Sequence, residues 1–116
     1  MVSNLATLTI SVLSIAEVND AFRRSFTGGQ VLVTRGINAL PWDIQAAICE
    51  RVRSFEEFTE NNDPHGDHDF GSFDHDGRTI FWKIDLYDRD YKFYSPAPTD
   101  PSKTNRVLTI LLAEEY

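Results

Sequence analysis

Cysteine is almost absent from this chain: among 116 residues there is one, Cys49. A single thiol excludes an intramolecular disulfide and fits a reducing compartment. Its place inside Ile44–Val52, on a helical pattern, points to packing rather than nucleophilic chemistry. Basic residues are also scarce, with 11 Lys and Arg against 18 Asp and Glu and a formal net charge of −7. Direct binding of duplex nucleic acid needs clustered cations that displace counterions, so this balance argues against it. No apolar run approaches the roughly 20 residues that span a bilayer. Residues 1–13 are apolar and rich in Thr and Ser but lack the positive start of a signal peptide, so the expectation is a cytosolic protein that does not enter the membrane. There is no GxSxG, and Gly28-Gly29 is not followed by the GK[ST] of a phosphate loop. These gaps argue against acyl transfer and nucleotide hydrolysis, and no cofactor is expected.

What the chain does have is enough to fold. Its 41% hydrophobic content, with 2 Trp, 4 Tyr and 8 Phe, is that of an ordinary globular domain. A chain of this length buries roughly two thirds of its unfolded surface. The expected organisation is an ambiguous segment over 1–13 followed by one domain over 14–116.

The local signals are mostly clear. Ser14-Ile15-Ala16-Glu17 matches a capping box. Ile15, Val18, Phe22 and Phe26 follow on one helical stripe, and Gly28-Gly29 ends the helix. Gln30 to Thr34, with Val31, Leu32 and Val33, reads as a short buried strand. Pro41 opens a second helix, with Ile44, Ile48, Val52 and Phe55 on its buried side and Arg51 and Arg53 in its last turn. Asn61 to Gly66 is a loop. Segments 69–74 and 78–87 form a hairpin about His75-Asp76-Gly77, because Asp-Gly between alternating segments marks a tight turn. In the second of these, Ile80, Trp82, Ile84 and Leu86 share one face. Tyr91–Tyr94 reads as a further strand. Ser95–Ser102, with its prolines, is a loop. Arg106–Leu112 is apolar on both faces and should be a central strand, and Glu114 to Tyr116 reads as an exposed or frayed end. Helices first and strands second predict an α+β fold: two helices packed on one face of a mostly antiparallel sheet.

Several runs resemble a small uncharacterised bacterial domain family, common in alphaproteobacteria and carried on plasmids and other mobile elements. They are Asn19-Asp20-Ala21-Phe22-Arg23-Arg24, Asn62-Asp63-Pro64, Asp69-Phe70-Gly71-Ser72-Phe73, Ile80 to Asp85 with Tyr87-Asp88-Arg89-Asp90, and Arg106 to Ile110 with Leu112 to Tyr116. The family has no agreed activity, so the resemblance assigns no role to any residue. Its mobile-element setting implies an accessory or anti-defence role.

The charge is concentrated. Between Ser54 and Gly77 lie eight acidic residues, four Phe and all three His, with no Lys or Arg. Three chemistries compete for this window. His65, Asp67, His68, Asp69, His75 and Asp76 are ligand types that suit a transition metal, yet the His-x-x-His spacing falls in a Gly/Pro loop rather than on a helix face, and no Cys is near. A calcium loop is suggested by Asp67-x-Asp69-x-Gly71 and Asp74-x-Asp76-Gly77, but both lack the closing bidentate Glu. Acid–base work by Asp85, Asp88 or Asp90 beside His68 or His75 competes with a plain ion pair of Asp85 with Lys83 or Arg78.

The third chemistry is binding. Glu56, Glu57, Glu60, Asp63, Asp67, Asp69, Asp74 and Asp76, extended by Asp85, Asp88 and Asp90, are expected to form an acidic surface that attracts an Arg-lined nucleic-acid channel. Phe58, Phe70, Phe73, Tyr87 and Tyr91 are its candidate anchors. The expected partner is a basic protein or nucleic-acid-binding complex. Self-association through Val107–Leu112 or residues 7–12 is a further expectation. The reading that joins these observations is a non-catalytic acidic protein-binding module, in its sharpest form an anti-CRISPR-like inhibitor occupying a basic nucleic-acid-binding surface. The alternative is a metal-dependent enzyme that uses the His/Asp-rich loop 65–76.

Overall fold

The capping box at Ser14 is formed in the computed structural model, which describes residues 13–116. Ser14 Oγ accepts from the Glu17 amide at 3.1 Å, and Glu17 Oε1 accepts from the Ser14 amide at 3.0 Å. Helix α1 runs Ile15–Ser25 and buries Phe22. It stops earlier than the glycine pair predicts. Phe26 itself adopts the left-handed conformation (φ 57°), and its amide closes the helix on the Phe22 carbonyl at 2.7 Å. Its ring packs on the core beneath the Arg53 guanidinium, 5.5 Å away, which holds the residue there.

Strand β1 (Gln30–Val33) lies at a sheet edge. The expected burial fails for this reason: Leu32 and Val33 are exposed, and only Val31 packs on the core. A one-turn helix, α2 (Arg35–Asn38), follows unpredicted and drives Ile37 fully into the interior. Helix α3 (Trp42–Arg53) begins one residue after Pro41 and buries Ile48 and Val52. Among the described residues the two expected helices are thus joined by a third, short one.

Strands β2 (Phe70–His75) and β3 (Arg78–Tyr87) form the predicted hairpin, in register from Phe70↔Lys83 to His75↔Arg78. Its two-residue turn places both Asp76 (φ 50°) and Gly77 (φ 77°) in the left-handed region, the geometry that matches the twist of the flanking strands. Residues 91–94 are not a strand. Tyr91 is left-handed (φ 59°), which breaks an extended run, and only Tyr94 bridges back to Tyr87. Strand β4 (Asn105–Leu112) is central, as its two apolar faces predict, and a short 3₁₀ turn covers Ala113–Glu115.

The sheet order is β1-β4-β3-β2, with β1 parallel to β4 and the other pairs antiparallel. The fold is α+β. Ile80, Trp82, Ile84, Leu86, Leu108 and Ile110 join Phe22, Ile37, Ile48, Val52, Phe55 and Phe73 in one buried cluster. Those sheet residues all belong to one face, so the helices cover that face alone. Trp82 is fully buried against Gly71, where a Cβ would stand 2.2 Å from the indole nitrogen. Only glycine allows that approach. Because β4 is paired on both sides, its expected use as a self-association edge is excluded. The expected strand over residues 7–12 lies outside the described residues.

The chain end is held rather than frayed. Glu115 accepts hydrogen bonds from the Gly36 and Leu112 amides, each at 2.9 Å, and from the Thr34 hydroxyl. The Thr34 bond, then the Leu112 amide, lower the pKa of its carboxyl.

Candidate functional site

Helical spacing sets Asn19 and Arg23 one turn apart on α1, both facing the sheet and both at 0% exposure. Buried polar groups need partners, and these two find them on three other segments, with Arg23 Nε alone of the guanidinium nitrogens left without one. The Arg23 guanidinium donates to the carbonyls of Val52 and Arg53 at 2.9 and 3.0 Å, which satisfies the last turn of α3, and to Asp20 Oδ1 at 2.9 Å. It also lies 5.1 Å from the Trp82 ring centroid and 5.6 Å from that of Phe58. Asn19 donates to the Asp67 carbonyl at 2.9 Å and accepts from Arg106 Nε at 3.1 Å.

Asp20 carries the network to the acidic loop. His68 Nδ1 sits 2.9 Å from Asp20 Oδ1, and His68 Nε2 lies 3.6 Å from Asp63 Oδ2. The imidazole stacks parallel on Phe58 with ring centroids 3.8 Å apart. Asp63 accepts the amides of Asp67 and His68 at 3.1 and 3.2 Å, fixing the turn in which His68 takes φ 54°. This imidazole therefore braces loop 63–68 against α1. His65 is exposed, and His75 stands beside Arg51, 3.4 Å from its guanidinium. Among the described residues, no three His, Cys, Asp or Glu side chains converge to hold a metal ion. Cys49 packs at the core edge, and burial raises its pKa, which keeps it a thiol.

The predicted acidic surface divides in two. At the hairpin turn, Asp74 accepts from the Thr79 hydroxyl at 2.8 Å, and Asp76 is exposed. Glu56 and Glu57 are exposed and border a cavity of about 190 Å³ with Arg51 and Phe73, on the same stretch of β2. Glu60 is exposed as well.

The second group lies at the other end of the hairpin. Burial raises the pKa of the half-buried Asp69 carboxyl, reinforced by Asp67 and then by Asp63 and Asp85. Burial followed by Asp67 and Asp69 raises that of the Tyr94 phenol. The Asp69 carbonyl accepts the Ile84 amide at 2.8 Å and Tyr94 bridges back to Tyr87, so Asp67, Asp69, Asp85 and Tyr94 lie at the end of the hairpin away from its turn. Asp85 also forms the plain ion pair with Lys83 at 2.9 Å, and this bond raises the Lys83 pKa. Asp88 accepts the Lys92 amide at 2.9 Å, which organises the turn after β3, while Asp90 is exposed there.

That turn carries three aromatics that water reaches freely: Tyr91 at 50%, Phe93 at 72% and Tyr94 at 63% exposure. Tyr87 packs on Tyr91 with centroids 5.8 Å apart. Phe93 and Tyr94 were not among the sequence-based anchors, and their placement in a strand concealed them. Of the expected anchors, Phe73 and Phe58 belong to the core and its margin, and Phe70 lies on the opposite sheet face against Phe81. Asn19, Arg23 and Arg106 escaped notice too, although polar residues interrupting an apolar stripe were their signal.

No described helix is long and apolar enough to cross a membrane. No match to the chain was found among curated proteins or solved structures. Residues 33–115 match the family described as "Protein of unknown function (DUF3768)". The matched span runs from the last residue of β1 through the 3₁₀ turn and takes in α2, α3 and the whole hairpin with β4. On that extent of similarity, the chain belongs to the DUF3768 family.

Proposed function

We propose that this protein is a non-catalytic cytosolic binding module that presents an acidic, aromatic end to a basic protein partner. The observation that supports the reading is that Asp67 and Asp69 act on the Tyr94 phenol, and Asp85 on Asp69, beside the turn that exposes Tyr91, Phe93 and Tyr94. Carboxylates that already repel one another gain from a cation placed between them. Tyrosine and phenylalanine rings supply apolar contact and a face for guanidinium groups. An Arg-rich surface offers both complements, and such surfaces are common where proteins bind nucleic acid. In the bacterial, mobile-element setting that the family resemblance implies, the sharpest form of this function is an anti-defence, anti-CRISPR-like inhibitor that occupies its target's nucleic-acid groove.

A labelled nona-arginine peptide is the defined probe. Its affinity, read by fluorescence anisotropy, should fall with added salt. Asp67→Asn/Asp69→Asn or Phe93→Ala should weaken it about tenfold, whereas Asp74→Asn/Asp76→Asn should change it much less. Equal losses from both pairs would reduce the effect to net charge and defeat the assignment of this end. Displacement of DNA from a basic nucleic-acid-binding complex then tests the inhibitor form.

A further inference from the structure

Two cavities meet at Arg106, and no carboxylate lines either one although the chain carries 18 acidic residues. The first, about 160 Å³, is polar and cationic, bounded by Gly28, Gly29, Arg89, Thr104, Asn105 and Arg106. The second, about 210 Å³, is mostly apolar and runs along α1 past Val18, Ala21 and Phe22. Gly28, Pro101 and Arg106 border both, so the two form one continuous groove.

Arg106 is 3% exposed, and no carboxylate lies within ion-pair distance of it among the described residues. Its hydrogen bonds go to neutral groups, the Asn19 amide oxygen and the Pro98 carbonyl. Burial lowers its pKa, the sign of a cation short of compensation. Arg89 likewise donates to a neutral partner, Asn105 Oδ1 at 2.8 Å. A buried guanidinium without a counter-ion is costly, and an anion entering this groove would supply one, with Arg89 closing from the rim.

We propose that this groove is a binding site for a small organic anion of the phosphomonoester type, its charged group between Arg89 and Arg106 and its apolar part along α1. Phosphate carries close to two negative charges near neutrality and accepts several charge-assisted hydrogen bonds. Thr104 and Asn105 add neutral polar groups to the pocket, and Val18, Ala21 and Phe22 line an apolar slot for the remainder of the ligand. The site borders the aromatic turn through Tyr91, which lines the first cavity, but it uses different charged groups and does not depend on the function proposed for that end.

The test is an amide chemical-shift titration of the whole chain with three probes: phenyl phosphate, inorganic phosphate and phenol. Phenyl phosphate should give saturable shifts at Gly28, Gly29, Asn105, Val18 and Ala21. Inorganic phosphate should act more weakly and only at the first three, and phenol should act only at the last two. Arg89→Gln leaves every buried contact in place and should weaken phenyl phosphate about tenfold. Val18→Ser should weaken phenyl phosphate but not inorganic phosphate. Absence of saturation by phenyl phosphate in the millimolar range, or unchanged affinity in Arg89→Gln, overturns the site. Equal affinity for phosphate and phenyl phosphate overturns the apolar slot.

Discussion

Arg23 reaches the interior because its planar fork satisfies three acceptors at once, two carbonyls at the end of α3 and the Asp20 carboxylate. A lysine could not span that geometry. Replacing Arg23 by Met frees those carbonyls and strands Asp20 beside His68, so a loss of about 3–5 kcal/mol is expected from urea denaturation midpoints. Arg24→Met, one position on and exposed, should cost less than about 1 kcal/mol. Asp69 behaves in the opposite sense. Its raised pKa means that the folded protein disfavours the charged form. The carboxyl therefore helps folding fully only below its ordinary value of 3.8, and that help is lost as pH rises through the raised pKa. Asp69→Asn should melt higher than the parent near neutrality. The difference should vanish in thermal melts run below pH 3.8.

At the scale of elements, the hairpin is anchored by the contact of Trp82 with Gly71. Gly71→Ala forces a methyl into the indole, and a loss of about 1–3 kcal/mol is expected in the same denaturation assay. The 3₁₀ turn acts as a clasp, since Glu115 joins the end of β4 to the start of α2. Glu115→Ala should speed amide exchange at Gly36 and Leu112 while leaving the hairpin amides unchanged.

These elements also show what the chain discloses before folding. The hairpin register was legible because Asp76-Gly77 dictates one turn and Ile80, Trp82, Ile84 and Leu86 dictate one face. The start of α1 was legible because Ser14 and Glu17 satisfy each other's amides locally. Helix α2 was not, since four residues are too few to display a helical period. Tyr91–Tyr94 misled because aromatic content favours strands, while the left-handed Tyr91 that breaks the run leaves no mark in the sequence. The acidic window was legible as charge but not as a surface. Its residues are adjacent along the chain, yet β2 carries Asp74 and Asp76 to one end and leaves Asp67 and Asp69 at the other.

For the whole molecule, the helices cover a single face of the sheet, and the net charge of −7 is spread unevenly about two regions. One is the groove at Arg106, where cations lack counter-ions. The other is the end that exposes Tyr91, Phe93 and Tyr94, where Asp67 and Asp69 stand together while Asp85 pairs with Lys83. The first should answer to small anions and the second to cationic chains, with Arg89→Gln weakening the first and Phe93→Ala the second.

The position of β4 has a consequence for the order of assembly during synthesis. This strand is the last of the four in sequence, yet it lies between β1 and β3. Until residues 105–112 leave the ribosome, β1 lacks its partner among the described residues and β3 has an open edge, so the sheet cannot be completed. Such chains display unpaired edges and apolar faces, the features that recruit chaperones and favour aggregation. Ribosome-bound chains arrested before Asn105 should be cut rapidly by protease, and those arrested well past Leu112 should resist, so that protection arrives in one late step.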